Sequence, residues 1–566
     1  MLSGSPSTLA LLVATTLASP LKTHLCSRQD VTPSVDLGYE IHTASTNSSG
    51  DYYMFSNIPY ADQPVDDLRF HVVGLPTGNS STANDGSTDV MCMQAYPEWI
   101  INLEAEASCV TAEVMKDTLY AQPGQTEACL MLDVYVPTKV FDRNVSSTGW
   151  SSSSKIYSIT EADPVKAPVV VWLHGGGFTY GSKTSTGDPA GIIARSMLDD
   201  SEGVIFISIN YRLGLFGWLG GGGITPNLGF YDQRVAFEWV QKYIHLFGGD
   251  PGRVTAIGES AGAASILHHI TSYGGAGGLA FAQGIIQSPA FQFNLDLDDA
   301  YEKTLAEASN ITGESITNVP ELTSLDSKTL QSVNFDVVMG ATQGLFIYGP
   351  APDETYVPAL PQVLLAEGKY HSNVNVVAGH NSLEAAPFVP SSISTEEDLI
   401  SALELVFPEI SMSNLTYILD VLYPSSDYES EFLRGVQIVS DVDFSCSTRY
   451  IAQALDNATH NYIFSYPPGY HAQDTPYTFF NGDTTTLDDG LPVNATIAHD
   501  LQDYIVGFAI TGDPNDSPAG TALEFPEYGS DSTVLDFAYS GLLTRTDDMA
   551  NARCAWWQEA MVEGSV

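Results

Sequence analysis

Short, continuously apolar runs punctuate this chain. Val169-Val170-Val171-Trp172-Leu173, Val254-Thr255-Ala256-Ile257, Val374-Asn375-Val376-Val377-Ala378-Gly379 and Tyr462-Ile463-Phe464-Ser465-Tyr466 are rich in β-branched and aromatic residues. Such runs predict strands buried on both faces of an open α/β sheet. A different period governs residues 229–247. There Phe230, Phe237, Val240, Ile244 and Phe247 recur at helical spacing and predict a core-facing helix, which Gly248-Gly249 and Pro251 stop. Stretches rich in Gly and Ser at Ser146–Ser154, Gly220–Gly223 and Gly274–Gly278 read as loops. No internal repeat and no linker-like break divides the chain.

The chemistry gathers where these strands end. Gly258-Glu259-Ser260-Ala261-Gly262 lies between the strand Val254–Ile257 and a small-residue helix running from Ala261 through Leu267. The string alone is weak, since chance gives it ~0.3–0.4 times in a chain of this composition. Its strand-to-helix setting predicts a nucleophile elbow, a sharp turn that holds the Ser260 hydroxyl exposed. The strand Val169–Leu173 runs into His174-Gly175-Gly176-Gly177-Phe178. Glycines there let the backbone approach a substrate, and the N–H groups of Gly176, Gly177 and Ala261 are the expected oxyanion donors. No Lys-Ser/Thr follows, which excludes a Walker-type phosphate loop. Beyond the strand at 374–379 comes His380-Asn381-Ser382-Leu383-Glu384; beyond the strand at 462–466 comes Pro467-Pro468-Gly469-Tyr470-His471. Ser260, Glu384 and His471 thus follow in the order serine, acid, histidine, each past the carboxyl end of a strand. The other histidines after Ser260 read as structural or surface groups. His268 and His269 lie in the elbow helix, His371 precedes the acid, and His380 shares its loop. His460 begins a strand, and His499 lies in a helical segment.

With these motifs on one chain, the sequence resembles the type-B carboxylesterases, the family of cholinesterases and large fungal lipases. Ser56-Asn57-Ile58-Pro59-Tyr60-Ala61, Leu68-Arg69-Phe70, Cys129-Leu130 and Asp133-Val134-Tyr135-Val136-Pro137 carry the resemblance. So do Asn210-Tyr211-Arg212-Leu213-Gly214, Asn227 to Arg234, and Phe247-Gly248-Gly249-Asp250-Pro251 before the elbow. The resemblance implies an α/β-hydrolase fold, a large central and mostly parallel sheet flanked by helices, with lid or cap insertions. It places the acid at Glu384 and the base at His471, and makes Glu259 an electrostatic neighbour of the reacting groups. Three positions depart from the family pattern: Ala128 where an acidic residue is usual, Asp133 in place of Asn, and Ala385 in place of Gly. The last departure leaves Asp353-Glu354 as substitute acids outside the matching loop. The implied reaction is ester hydrolysis through an acyl-serine, with His471 as base, so activity should decline on the acidic side. It requires no metal or other cofactor. Acyl transfer uses the same groups, and a catalytically silent binding protein is a further alternative on this fold.

Composition fills in the surroundings. Among 566 residues, 21 are basic and 68 acidic, for a formal charge of −47. That balance argues against nucleic acid or an anionic membrane as partner, since both need clustered positive charge. A small-molecule ester is the expected partner. Thr8–Ala18 is an apolar segment of signal-peptide length, although no Lys or Arg precedes it. It predicts a signal over residues 1–19, a single catalytic domain over 20–566, no transmembrane segment and a secreted location. Eight sequons, at Asn47, Asn79, Asn144, Asn310, Asn414, Asn457, Asn494 and Asn515, fit a glycosylated secreted protein; Pro518 after Ser517 disfavours the last. Six cysteines leave fifteen pairings open. The resemblance pairs Cys92 with Cys129 and Cys446 with Cys554, which leaves Cys26 with Cys109. The first of these closes a loop carrying Trp99, Ile100, Ile101, Leu103, Val114, Met115 and Leu119, either a mobile lid or a fixed wall.

Overall fold

The computed structural model describes residues 33–47, 51–144, 166–293, 296–488 and 490–566. The expected signal peptide, the Ser146–Ser154 loop and Cys26 lie outside the described residues. Pro33–Val566 form one compact unit.

Eleven strands make the central sheet of the described residues: β1 (Ser45–Thr46), β2 (Tyr52–Pro59), β3 (Met131–Pro137), β4 (Ala167–Leu173), β5 (Ile205–Ile209), β6 (Gly249–Glu259), β7 (Gln283–Gln287), β8 (Asn375–Asn381), β9 (His460–Phe464), β10 (Thr533–Ala538) and β11 (Gly541–Thr546). Their spatial order is β11-β10-β9-β8-β7-β6-β4-β5-β3-β2-β1. Neighbours from β5 across to β10 pair in parallel, and both edges are antiparallel. From β4 the chain goes to β5 on one side and then to β6 on the other. A crevice therefore opens between the loops that leave β4 and β6 at the carboxyl end of the sheet. Register keeps the four chemical loops in step, with Leu173 opposite Gly258, Gln287 opposite both Glu259 and Gly379, and Asn381 opposite Phe464.

The helices used below are α1 (Glu98–Ala107), α2 (Ala112–Tyr120), α3 (Leu228–Tyr243), α4 (Ala261–Thr271), α5 (Ser327–Met339), α6 (Glu431–Val439), α7 (Cys446–Ala454) and α8 (Ala495–Thr511). Side chains alternate along β4 and so feed two cores. Val169, Val171 and Leu173 pack with Phe230, Phe237 and Ile266 of α3 and α4. Val170 and Trp172 pack on the opposite face with Leu501, Ile505 and Phe508 of α8. The residues of the predicted helical stripe are all buried; α3 ends at Tyr243, a 3₁₀ turn continues through Phe247, and Gly248 closes it at φ +89°. Several strand limits differ from expectation; β4 begins at Ala167 and β6 spans Gly249–Glu259, both longer than the apolar runs. β8 extends through His380 and Asn381, placed above in the loop, and β9 ends at Phe464. In the latter two cases ladder pairing with a neighbouring strand sets the limit.

Buried ion pairs explain the sequence motifs. Arg212 donates from Nε and Nη2 to Asp232 at 2.7 Å each, tying the loop after β5 to α3. Gln233 donates to Ser265 Oγ at 3.0 Å and also meets His269 Nε2 at 2.9 Å, tying α3 to α4. Asp133 pairs with Lys183 at 2.9 Å and accepts from the Asn57 backbone at 2.7 Å. Lys183 supplies the charge that makes an aspartate stable at that site. Beside Ala128, Glu127 holds Arg69 through two bonds of 2.6 Å. Disulfides join Cys92 to Cys129 and Cys446 to Cys554. Cys109 carries an exposed thiol unpaired among the described residues. The described sequon asparagines whose surroundings are defined are at least partly exposed. No helix of the described residues is long and apolar enough to cross a membrane.

Candidate active site

Ser260 occupies the bend between β6 and α4 at φ +57° and ψ −123°. Non-glycine residues rarely adopt that conformation, and it persists only where the surroundings over-determine it. Here the Ser260 N–H donates to Gln287 O at 3.0 Å, while its carbonyl accepts from Ala264 at 2.9 Å and from Ala290 at 3.3 Å. The two flanking glycines are required by contact. A Cβ on Gly262 would stand 2.0 Å from Leu173 O, and one on Gly258 would stand 2.6 Å from Gly262 C. Strand, elbow and helix can close up only if both lack side chains.

The structure brings Glu384 and His471 together. His471 Nδ1 lies 2.7 Å from Glu384 Oε2, and Glu384 Oε1 accepts from the Asn381 N–H at 2.5 Å. Their loops are clasped, since Leu383 N donates to Gly469 O at 2.7 Å and Ser382 N to Phe464 O at 3.1 Å. Ala385 sits without strain in the usual glycine position, its N–H donating to Ser440 Oγ at 3.0 Å. Asp353, the substitute acid, instead accepts from Asn227 at 2.9 Å, and Glu354 is exposed. His471 Nε2 lies 3.2 Å from Glu259 Oε1 and makes no hydrogen bond to Ser260 Oγ in this conformation. Burial pulls the imidazole pKa down, but the carboxylates of Glu259 and Glu384 outweigh it and raise the pKa. Burial also pushes the Glu259 carboxyl upward, against the opposing pull of His471. His268 and His269 sit deep in α4, and burial holds both near 3.

The glycine loop after β4 lies against the serine. A Cβ on Gly175 would stand 2.9 Å from Glu259 Oε2 and 3.0 Å from Ser260 Cβ. Gly176 at φ +106° and Gly177 at φ +56° turn the chain back over the elbow. The N–H groups of Gly176, Gly177 and Ala261 bond to no acceptor among the described residues. Burial lowers His174 to about 4; its ring stacks on Tyr211, whose hydroxyl donates to His174 O at 2.7 Å. Among the described residues no three His, Cys, Asp or Glu side chains gather as a metal ion would require.

Residues 37–557 match the carboxylesterase family. The chain belongs to that family. It is a carboxylic ester hydrolase with the α/β-hydrolase fold. Carboxylesterase patB of Aspergillus clavatus is 36% identical over 560 residues, covering 93% of this chain and 96% of the relative. A secreted lipase of Arthroderma benhamiae is 29% identical, covering 78% and 84%. Aspergillus niger EstA shares the fold at TM-score 0.77 and 23% identity, covering 95% and 99%.

In this carboxylesterase an aromatic wall surrounds the histidine. The rings of Phe388 and Phe444 lie 5.2 Å and 4.6 Å from the His471 ring. Phe346 closes on the glycine loop, where a Cβ on Gly177 would stand 2.3 Å from its ring. Trp99 of α1 packs edge-on against Phe346 and Phe388 at 5.4 Å each, and its Nε1 donates to Leu345 O at 3.2 Å. Ile101, Met115 and Leu119 pack with Phe335 of α5, whereas Leu103 and Val114 face outward. The Cys92–Cys129 loop is therefore a packed wall in this conformation. Sequence reading missed the wall's other members, and it missed Asp474. Asp474 Oδ2 accepts from Tyr462 at 2.6 Å and Gln287 at 3.2 Å, directly behind the acid loop. Burial pushes its carboxyl up to about 6. Its only sequence signal is a carboxylate three residues after His471.

Proposed function

We propose that the protein is a secreted serine esterase acting on uncharged esters or lactones, with Ser260, Glu384 and His471 as its catalytic triad. The observation that carries this reading is the strained Ser260 turn at the crevice, flanked by the Glu384–His471 pair and by unpartnered N–H groups. Ser260 Oγ attacks the ester carbonyl as His471 Nε2 takes its proton; Glu384 stabilises the resulting imidazolium. Gly176, Gly177 and Ala261 bind the oxyanion, each donor being worth about 3 kcal/mol. His471 then protonates the departing alcohol. Water adds to the acyl-serine with His471 as base, releasing the acid and restoring Ser260. In this conformation Nε2 faces Glu259, so substrate binding must bring Ser260 Oγ within its reach, a tightening common between free enzymes and their complexes. The relatives named as a carboxylesterase and as a secreted lipase support the ester chemistry, and the latter, with two disulfides, supports secretion after a signal at 1–19.

A fluorophosphonate should label Ser260 in the folded protein and not after denaturation, read by peptide mass mapping. Ser260→Ala should lose both labelling and ester turnover while keeping its circular dichroism. Full turnover in that variant would overturn the assignment. Running the wild type with added alcohols separates hydrolysis from acyl transfer.

A further inference from the structure

Between α6 and α7 the helix widens into a π-helical segment, Ser440–Ser445. Such segments interrupt helical phase and occur frequently at functional sites. This one leads directly to the triad. Ser440 Oγ accepts from Ala385, next to the acid, and the Phe444 ring lies 4.6 Å from the His471 ring. Asp443 stands between them. Its backbone carbonyl accepts from Phe291 N at 3.0 Å, and the preceding Ala290 N–H donates to Ser260 O at 3.3 Å. Asp443 is thus tied through one short loop to the elbow and is adjacent in sequence to the histidine's aromatic neighbour.

Its carboxyl is out of keeping with these surroundings. Asp443 Oδ1 is buried and makes no hydrogen bond, and the residue as a whole remains half-buried. Two other buried carboxylates nearby are partnered. Asp441, two residues earlier, holds Arg553, Tyr423 and Gln437, and Asp474 holds Tyr462 and Gln287. A carboxyl oxygen buried without a partner, on the residue next to the histidine's aromatic neighbour, carries a desolvation cost that folding alone does not explain. Among the described residues no cation or donor offsets its burial, which raises the carboxyl pKa well above its ordinary value. A carboxyl kept protonated both donates and accepts hydrogen bonds.

We propose that Asp443 recognises a hydroxyl or carbonyl group on the ester bound at this site, so that the enzyme selects oxygenated esters over plain alkyl ones. The proposal rests on the esterase reading and adds the chemistry of its substrate. A site that hydrogen-bonds a substrate hydroxyl discriminates strongly against the analogue lacking it, because its own polar group is then left unpaired. The test compares kcat/KM for two matched pairs. One pair is p-nitrophenyl 3-hydroxybutyrate and p-nitrophenyl butyrate, with the hydroxyl on the acyl side. The other is 4-hydroxybutyl butyrate and butyl butyrate, with the hydroxyl on the alcohol side. The wild type should prefer the hydroxylated member of at least one pair by about ten-fold or more. Asp443→Leu should erase that preference, and Asp443→Asn, which still hydrogen-bonds, should retain most of it. Fluorophosphonate labelling of Ser260 reports folding in each variant. A wild type with no preference in either pair overturns the proposal, as does a preference that survives Asp443→Leu. Those results leave the esterase reading standing if Ser260 is labelled; a wild type without labelling overturns both.

Discussion

Glu259 and His471 meet as a buried carboxyl and an imidazole, and under the proposed mechanism their contact sets the acid side of the activity profile. Burial favours neutral His471, yet the charges of Glu259 and Glu384 prevail and keep it protonated to higher pH than a solvated histidine. A general base works only when neutral, so kcat/KM should fall on the acid side from above the ordinary histidine value of about 6.5. Glu259→Gln removes one of the raising charges, so the acid limb should move to lower pH. A limb that stays in place would show that Glu259 does not act on His471. Gly262 gives a second residue-scale test. A methyl group there would press on Leu173 O, leaving either the strand or the elbow to move. Gly262→Ala should lower stability by about 3 kcal/mol, measured by denaturant unfolding, and should reduce Ser260 labelling.

At the scale of elements, the Asp133–Lys183 pair locks β3 to the loop that follows the glycine turn. Removing one member of a buried pair strands the other charge, a loss of about 3–5 kcal/mol. Lys183→Met should therefore lower the melting temperature markedly, and adding Asp133→Asn should recover part of the loss. Equal melting temperatures for the single and double variants would show that the charges are not coupled. Elements like these divide what the chain discloses from what it conceals. Val169–Leu173, Val254–Ile257 and the helical stripe from Phe230 to Phe247 were legible because burial imposes a period on neighbouring residues. The meeting of Glu384 with His471 beside the Ser260 elbow was legible because all three lie past the carboxyl ends of apolar runs. Glu259 was placed by resemblance, but its contact with His471 Nε2 was not foreseen. Phe346, Phe388 and Phe444 were not legible, because they reach the site from separate segments and no local periodicity links them. The ends of β8 and β9 were shifted for a related reason: pairing between strands far apart in sequence decided them.

At the scale of the whole molecule, a formal charge of −47 surrounds a crevice whose described wall is largely apolar. Long-range repulsion acts on approaching anions and fades with salt, over a distance of about 10 Å at 0.1 M. Esters bearing a carboxylate should gain in kcat/KM as sodium chloride rises from 10 to 300 mM, about ten-fold or less, while neutral esters change little. Parallel salt curves for the two would remove surface charge from the account. The loop closed by Cys92 and Cys129 has a consequence of another kind. Its ends stand 4.9 Å apart at Cα, so the chain between them departs from and returns to nearly the same point. Trp99 is the part of it that packs on the aromatic wall around His471. Such a segment is a cassette. Exchanging it for the loop of a relative would replace Trp99 on that wall while leaving the strands that precede Ser260, Glu384 and His471 unchanged in sequence.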